Sequence, residues 1–393
     1  MTAERTVTVS LADRAYDVVI GTGLLHGIGE RVRALVPGVR RALIVVDSHL
    51  PPHHGKVAER ALEGEGIDAT SVMIHSSEKH KNLQTFADIL NTCASRRLER
   101  TDVIVALGGG VVGDVAGFAA ACYRRGLPIV QCPTTLLAMV DASVGGKTGV
   151  NLIVPDPEHG PTLVKNMAGA FWQPRLVLAD IDTLASLPQR QYRSGLAECI
   201  KHALLSGSVD ADLLAFTEAS LADALAVRPE VVGQLVARNV AVKARVVEGD
   251  EREEASDSEG GRAVLNLGHT FAHAVETCPS AYPDGRPEDS PLLHGEAVGL
   301  GLIAASRMSE AMDFFNGPTA ENVERIVAEA GLPTRCAGVP DAESLLRTMR
   351  HDKKARAGSM RFIVPVAHGE CRVIADPPDY AIRAGLTAIR AGG

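Results

Sequence analysis

No stretch of this sequence approaches the roughly 20 consecutive apolar residues that a membrane-spanning helix requires, so a bilayer-crossing protein is not expected. The opening residues, M-T-A-E-R-T-V-T-V, lack a basic region followed by an apolar run, and no secretory signal peptide is expected. Cysteine is sparse and unpatterned: seven are scattered along the chain, an odd number, and no C-x-x-C pair occurs. That argues against a disulfide framework and for free, buried thiols in a reducing cytoplasm. Positive charge is not in excess, with Lys+Arg 40 against Asp+Glu 48 and a net charge of −8. A general affinity for nucleic acid or anionic membrane is thereby excluded. Internal repeats and low-complexity tracts are also absent, which rules out a repeat architecture. Aromatic residues reach only 4%, yet aliphatic side chains raise the hydrophobic share to 46%, enough for a large core.

What is present points to an α/β enzyme. A chain of 393 residues has room for two domains. Alternating or β-branched runs at 6–11, 16–20, 42–46, 69–74 and 103–107 predict strands, the later ones separated by helix-length segments. That order predicts parallel βαβ units and a doubly wound sheet. Beyond about Leu187 the strand pattern fades, and amphipathic helices are predicted over 191–205, 209–227, 231–247 and 294–312. The expected division is 1–185 and 186–393. Polar stretches rich in Pro, Gly, Asp or Glu predict loops at 154–162, 253–261 and 279–290.

Gly108, Gly110 and Gly113 satisfy G-x-G-x-x-G directly after a predicted strand and at the start of a helix. Backbone N–H groups at such a helix start suit a pyrophosphate, although glycine clusters also serve tight strand–helix turns. The acidic residue that usually follows about 20 positions later is missing, since Val130 and its neighbours are apolar. Asp47, which ends an earlier strand, is the better candidate for ribose hydroxyls, unless it merely forms a turn.

The stretch N-L-G-H-T-F-A-H, 266–273, puts His269 and His273 four apart, on one helix face. Thr270 stands where a zincin needs Glu, so a metalloprotease is disfavoured. An isolated pair of this kind is more often two surface histidines. Two neighbours change that balance: His294 in L-L-H-G-E-A-V-G-L-G opens another helix, and Glu198 in G-L-A-E-C-I-K-H lies on an earlier one. One carboxylate and two imidazoles from separate helices have the composition of a catalytic zinc site. Cys199 beside Glu198 could be a nucleophile, but a small core residue is the simpler account.

A second glycine motif, P-T-T-L-L-A-M-V-D-A-S-V-G-G-K-T-G-V-N, spans 133–151. It fails the G-x-x-x-x-G-K spacing of a Walker A loop, because Asp141 stands five before Gly146. Lys147 after paired glycines, with Asp141 six residues earlier, suits a polyhydroxylated or phosphorylated ligand better than a solvated turn. Lys243, Arg262, Lys353 and Lys354 are solvated charges by default. Lys201 is the exception, because it shares a helix face with Glu198.

Taken together, the motifs resemble those of the 3-dehydroquinate synthases, within the wider sugar phosphate cyclases. The matching segments, in the family's order from about residue 40 to 365, are S-S-E-K-H-K-N-L, G-G-G-V-V-G-D-V-A-G-F-A-A-A, the second glycine motif, K-N-M-A-G-A-F-W-Q-P, G-L-A-E-C-I-K-H, L-N-L-G-H-T-F-A-H-A-V-E, L-H-G-E-A-V and D-K-K-A-R. The resemblance implies an N-terminal, Rossmann-like nucleotide-binding α/β domain followed by an all-α C-terminal domain, with an active site in the cleft between them. It also implies bound NAD, a divalent metal (Zn2+ or Co2+), a sugar phosphate substrate and a homodimer. The activity implied is a phosphate-eliminating cyclisation in aromatic amino acid biosynthesis.

Carried over position by position, the family's metal ligands fall on Glu198, His269 and His294. Its NAD contacts fall on Asp47, Glu78, Lys81, Gly109, Gly110, Asp114, Thr134 and Thr135. Residues implied at the substrate are Asp141, Lys147, Asn166, Lys201, Lys243, Arg262, Asn266, His273 and Lys354. Of these, His273, Lys201, Lys147 and Asp141 carry the catalytic roles. Arg125, in C-Y-R-R-G, matches an arginine that reaches the partner subunit's site. The chain departs from the family in an insertion at 154–162, longer loops before Arg262 and His294, Ala272 in place of Gly, and Ser186 and Gln191 in place of Thr and Glu. Another sugar phosphate cyclase, a metal-dependent polyol dehydrogenase and a non-catalytic scaffold are the alternatives. The carboxylate-binding pattern of Lys243 and Arg262 favours the dehydroquinate synthases.

Overall fold

A computed structural model describes residues 3–155, 160–255, 261–314, 317–355, 360–367 and 369–392, without the side chains of 317–318 and 351–355. The chain divides into two compact units, Met1–Pro188 with Val227–Ala244, and Gln189–Ala226 with Arg245–Gly393. Residues 227–244 thus group with the first unit, although they lie beyond the expected boundary.

The first unit is built on one sheet of β1 (Arg5–Val9), β2 (Tyr16–Gly21), β3 (Arg41–Asp47), β4 (Asp68–Ile74), β5 (Val103–Gly108), β6 (Ile129–Pro133) and β9 (Leu176–Asp180), with the hairpin strands β7 (Lys147–Val154) and β8 (Thr162–Phe171) outside it. Its order is β1-β2-β9-β6-β5-β3-β4. The β1–β2 pair is antiparallel; the other neighbours run parallel. Strands β5, β6 and β9 are buried along their whole length, as parallel strands covered on both faces must be. Alternate residues serve opposite faces. Ile44, Val46, Val105 and Leu107 pack with Ile28 and Val32 of α1 (Ile28–Leu35) and with Ala58 and Leu62 of α2 (Pro52–Gly64). Leu43, Val45, Ile104 and Ala106 pack with Ile89 of α3 (Leu83–Ser95) and with Val112, Val115 and Ala116 of α4 (Gly110–Cys122). Because the chain runs outward from β3 to β4 and then returns to β5 on the other side of β3, the β3/β5 boundary is a topological switch point. Ligands of such sheets bind at the carboxyl ends of the strands there.

The β7–β8 pair is an antiparallel hairpin, with Lys147 opposite Phe171 and a register shift between Val150 and Leu152. Composition predicts a loop over 154–162; Val154 and Thr162 instead form the last pair of this hairpin, and residues 156–159 lie outside the described ones.

The second unit is mainly helical: α5 (Gln189–Leu204), α6 (Leu213–Leu225), α8 (His269–Glu276), α9 (His294–Ala311), α10 (Gly317–Glu329), α11 (Ala342–Ala355) and α12 (Asp379–Ala388). The helix α7 (Pro229–Gly249) carries the segment that groups with the first unit. Two short antiparallel pairs add to the expected helices, Tyr282–Pro283 with Cys336–Ala337, and Arg361–Ala367 with Glu370–Ala375. Helix α9 is buried almost throughout, which explains its small and apolar residues, and α5, α8, α10 and α12 pack on it. Two close approaches need glycine. A Cβ on Gly301 would lie 2.2 Å from the Gly268 carbonyl oxygen, and one on Gly295 would lie 2.0 Å from the Ser194 carbonyl oxygen. Among the described residues, no helix is long and apolar enough to cross a membrane.

Candidate metal and nucleotide sites

Three helices of the second unit converge on one point. Glu198 projects from the middle of α5, His269 opens α8, and His294 opens α9. Gly268, at φ 75°, is the residue from which α8 starts; that backbone conformation is open to glycine and strained for other residues. One ligand atom from each of Glu198, His269 and His294 lies within 4.8 Å of the others. Glu198 Oε1 is 3.8 Å from His269 Nε2 and 3.6 Å from His294 Nε2. Donors around a tetrahedral zinc with bonds of about 2.0–2.1 Å stand about 3.4 Å apart, so Glu198 stands within a few tenths of an ångström of that spacing from each imidazole. The donor set therefore fits a divalent metal. Three protein donors leave a fourth position for substrate, as in catalytic sites.

The outer nitrogens of both imidazoles are also engaged. His269 Nδ1 faces the Leu267 carbonyl at 3.1 Å, and His294 Nδ1 faces Glu276 Oε2 at 3.4 Å. Such partners fix ring orientation and tautomer and leave Nε2 of both rings facing Glu198. Burial and the neighbouring Lys201 ammonium hold the His269 pKa down to about 4, which keeps the ring neutral at pH 7. Burial also opposes protonation of His294, but hydrogen bonds to Glu198 and Glu276 carry its pKa up to about 9. A cation arriving there displaces a proton.

Lys201, one turn beyond Glu198, places Nζ 2.5 Å from Glu198 Oε2; the two side chains are 2% and 1% exposed. At that depth an uncompensated ammonium costs several kcal/mol, so the pairing is what allows the lysine to be buried. His273 is exposed on α8, its ring centroid 5.8 Å from that of His269. Asn266 is exposed at the end of the short helix Gly261–Asn266. Arg262, in the same helix, is buried: its Nη1 donates to the Glu251 carbonyl at 2.8 Å, and its backbone N–H donates to Asp250 at 3.0 Å. Lys354 and Lys353 fall in α11, with side chains outside the described residues.

In the first unit, Gly109 immediately precedes α4 and Gly110 is its first residue, so the glycine turn presents the helix start at the carboxyl end of β5. A Cβ on Gly108 would meet the Asp47 Cβ at 3.1 Å, which puts Asp47 beside that turn at the switch point. Thr134 donates its backbone N–H to the Gly108 carbonyl at 3.0 Å, and this brings Thr134 and Thr135 to the same edge. Lys81 Nζ pairs with Asp114 at 2.6 Å and donates to Asn166. Burial raises the Asp114 carboxyl above its ordinary value, against the opposing pull of Lys81.

Asn151 completes this network. Its Nδ2 donates to Glu78 Oε2 at 2.7 Å, and its Oδ1 accepts from the Asn166 backbone at 2.9 Å. Asp141 pairs with Lys243 at 2.9 Å. Lys147 begins β7 with an exposed side chain, and Arg125 ends the turn Tyr123–Arg125 with φ 64°. Among the described residues, Asn151 and Glu276 are polar groups that the sequence reading left without a role. Each had a signal: Asn151 interrupts the apolar run G-V-N-L-I-V, and Glu276 follows His269 by seven, on the helix face of both histidines.

Family profiles described as 3-dehydroquinate synthase N-terminal and 3-dehydroquinate synthase C-terminal match residues 71–194 and 195–355. A 3-dehydroquinate synthase of Caulobacter vibrioides is 43% identical over 386 residues, covering 97% of this chain and 98% of the relative. The chain belongs to the 3-dehydroquinate synthase family. A second 3-dehydroquinate synthase, from Symbiobacterium thermophilum, is 39% identical and covers 97% of this chain and all of its own length, 100%. Among solved structures, 2-epi-5-epi-valiolone synthase from Streptomyces hygroscopicus subsp. jinggangensis, with NAD+ and Zn2+ bound, superposes with a TM-score of 0.79 at 28% identity, covering 96% of this chain and 97% of that one. Fold class and family thus agree with the motif-based expectation.

Proposed function

We propose that this member of the 3-dehydroquinate synthase family converts 3-deoxy-D-arabino-heptulosonate 7-phosphate to 3-dehydroquinate and inorganic phosphate, as a carbon–oxygen lyase of the shikimate pathway in the cytoplasm. The observation that carries this reading is the Glu198–His269–His294 cluster in a chain of that family. When bound, NAD supplies a hydride acceptor that returns its hydride, and a divalent metal, Zn2+ or Co2+, supplies a Lewis acid toward a ring oxygen.

This chain's residues do the rest. Asp47, Glu78, Lys81, Gly109, Gly110, Asp114, Thr134 and Thr135 hold the nucleotide, with the Lys81–Asp114–Asn166 network keeping its polar groups in place. Lys147, Asn266, His273 and Lys354 hold the substrate phosphate. Lys243 and Arg262 bind its carboxylate, an arrangement an acidic protein needs if it is to hold an anion at all. Asp141, Asn166 and Lys201 contact ring hydroxyls. His273, exposed beside His269, moves a proton near the departing phosphate. Once phosphate has left by β-elimination and the hydride has returned, ring opening and an intramolecular aldol step close the carbocycle. Two copies form a homodimer, in which Arg125 serves the partner subunit's site.

The test is incubation with the heptulosonate phosphate, NAD and Zn2+, following phosphate and NADH together. The expected result is phosphate release without net NADH. NADH accumulating from a simple polyol would establish a dehydrogenase instead, and turnover of a carboxylate-free sugar phosphate in preference to the heptulosonate would establish a different cyclase.

A further inference from the structure

We infer that Arg190 and Glu296 act as positioning residues that set the separation of Glu198 and His294, an inference that rests on the metal site proposed above. Glu296 lies two residues after His294, in the first turn of α9, and is 3% exposed. Its Oε2 accepts from the Leu293 backbone at 2.8 Å and so closes the helix start that carries His294. Both of its oxygens also take the guanidinium fork of Arg190, Nε to Oε1 at 2.8 Å and Nη2 to Oε2 at 2.7 Å. Arg190 stands in the first turn of α5, the helix that carries Glu198. The same guanidinium donates to the carbonyls of Asp289 and Pro291, the latter at 3.1 Å, and places Nη1 3.6 Å from the Asp289 carboxylate.

One rigid planar group therefore ties together the start of α5, the loop that delivers His294, and the start of α9. A second link runs alongside, with Gly295 N donating to Ser194 Oγ at 3.0 Å. A bidentate guanidinium–carboxylate pair fixes angle as well as distance, which an ammonium point charge does not. Exposed ion pairs contribute little and position little. This pair differs because the buried partner is part of the helix turn bearing a ligand.

The test uses full-length protein stripped of metal, with Arg190→Ala, Arg190→Lys and Glu296→Gln beside wild type. Co2+ affinity is measured by chelator competition, and the visible Co2+ spectrum reports coordination geometry. The expected result is an affinity loss of about 10–100-fold with a changed spectrum, and Arg190→Lys behaving more like Ala than like wild type. Arg190→Lys and Glu296→Gln keep volume and polarity, so they carry the test if Arg190→Ala fails to fold. Wild-type affinity and spectrum in these folded variants would overturn the inference. Wild type binding no stoichiometric Co2+, or His269→Ala binding it equally well, would instead overturn the metal site itself, and the inference with it.

Discussion

At the scale of single residues, the two histidines of α8 stand in different surroundings, which is why a ligand role is proposed for one and a proton-transfer role for the other. His269 turns Nε2 toward Glu198, while His273, one turn on, is exposed. His269→Ala is expected to cut metal affinity more than about 100-fold, beyond the loss typical of an outer partner, and to abolish phosphate release. His273→Ala is expected to keep the metal and lose rate, by about 10²–10⁴-fold if it transfers a proton. Metal analysis beside phosphate release checks both, and equal metal loss in the two variants would refute the division of roles. Both histidines and Glu198 could be picked out in the sequence because the residue types are unusual together and the spacing is helical. Glu276 carried the same periodic signal, but its partner, His294, is 18 residues away, and a carboxylate on a helix face is ordinarily solvated.

At the scale of elements, the separation of Glu198 and His294 depends on how closely α5 and α9 approach. Gly295 sits where they meet, and an added Cβ 2.0 Å from the Ser194 carbonyl oxygen would push rigid backbone apart by more than about 1 Å. Gly295→Ala is expected to destabilise the protein by about 1–3 kcal/mol, read as a lowered urea midpoint, and to weaken Co2+ binding as well. An unchanged midpoint would mean the helices are not packed as described. Strands β3 to β5 and helices α5 and α9 were legible because their apolar periods are long and unbroken. The β7–β8 hairpin was not: β8, T-L-V-K-N-M-A-G-A-F, has polar and glycine residues that mask a strand pattern, and it is mostly exposed. Nor were the strands Arg361–Ala367, whose run is interrupted by Pro365, and Glu370–Ala375, which opens on the polar E-C-R.

At the scale of the whole molecule, the proposed homodimer has a direct test through Arg125. If Arg125 serves the partner subunit, an Arg125→Ala chain and a His269→Ala chain should rescue each other. Co-expression gives half mixed dimers with one complete site each, hence about a quarter of wild-type activity, while either variant alone is inactive. No rescue in a verified mixed dimer would refute a shared site, and a monomer by light scattering would refute the dimer. The sequence alone determined which residue types exist to do the chemistry, the order of the first five strands, and the family, because motifs and hydrophobic periods are local properties of the chain. Tertiary structure alone decided which of those residues meet. Glu198 and His294 lie 96 positions apart, and Arg190 and Glu296 lie 106 apart. What joins them is the close packing of α5 on α9, a consequence of burial and steric fit among many residues that no short stretch encodes.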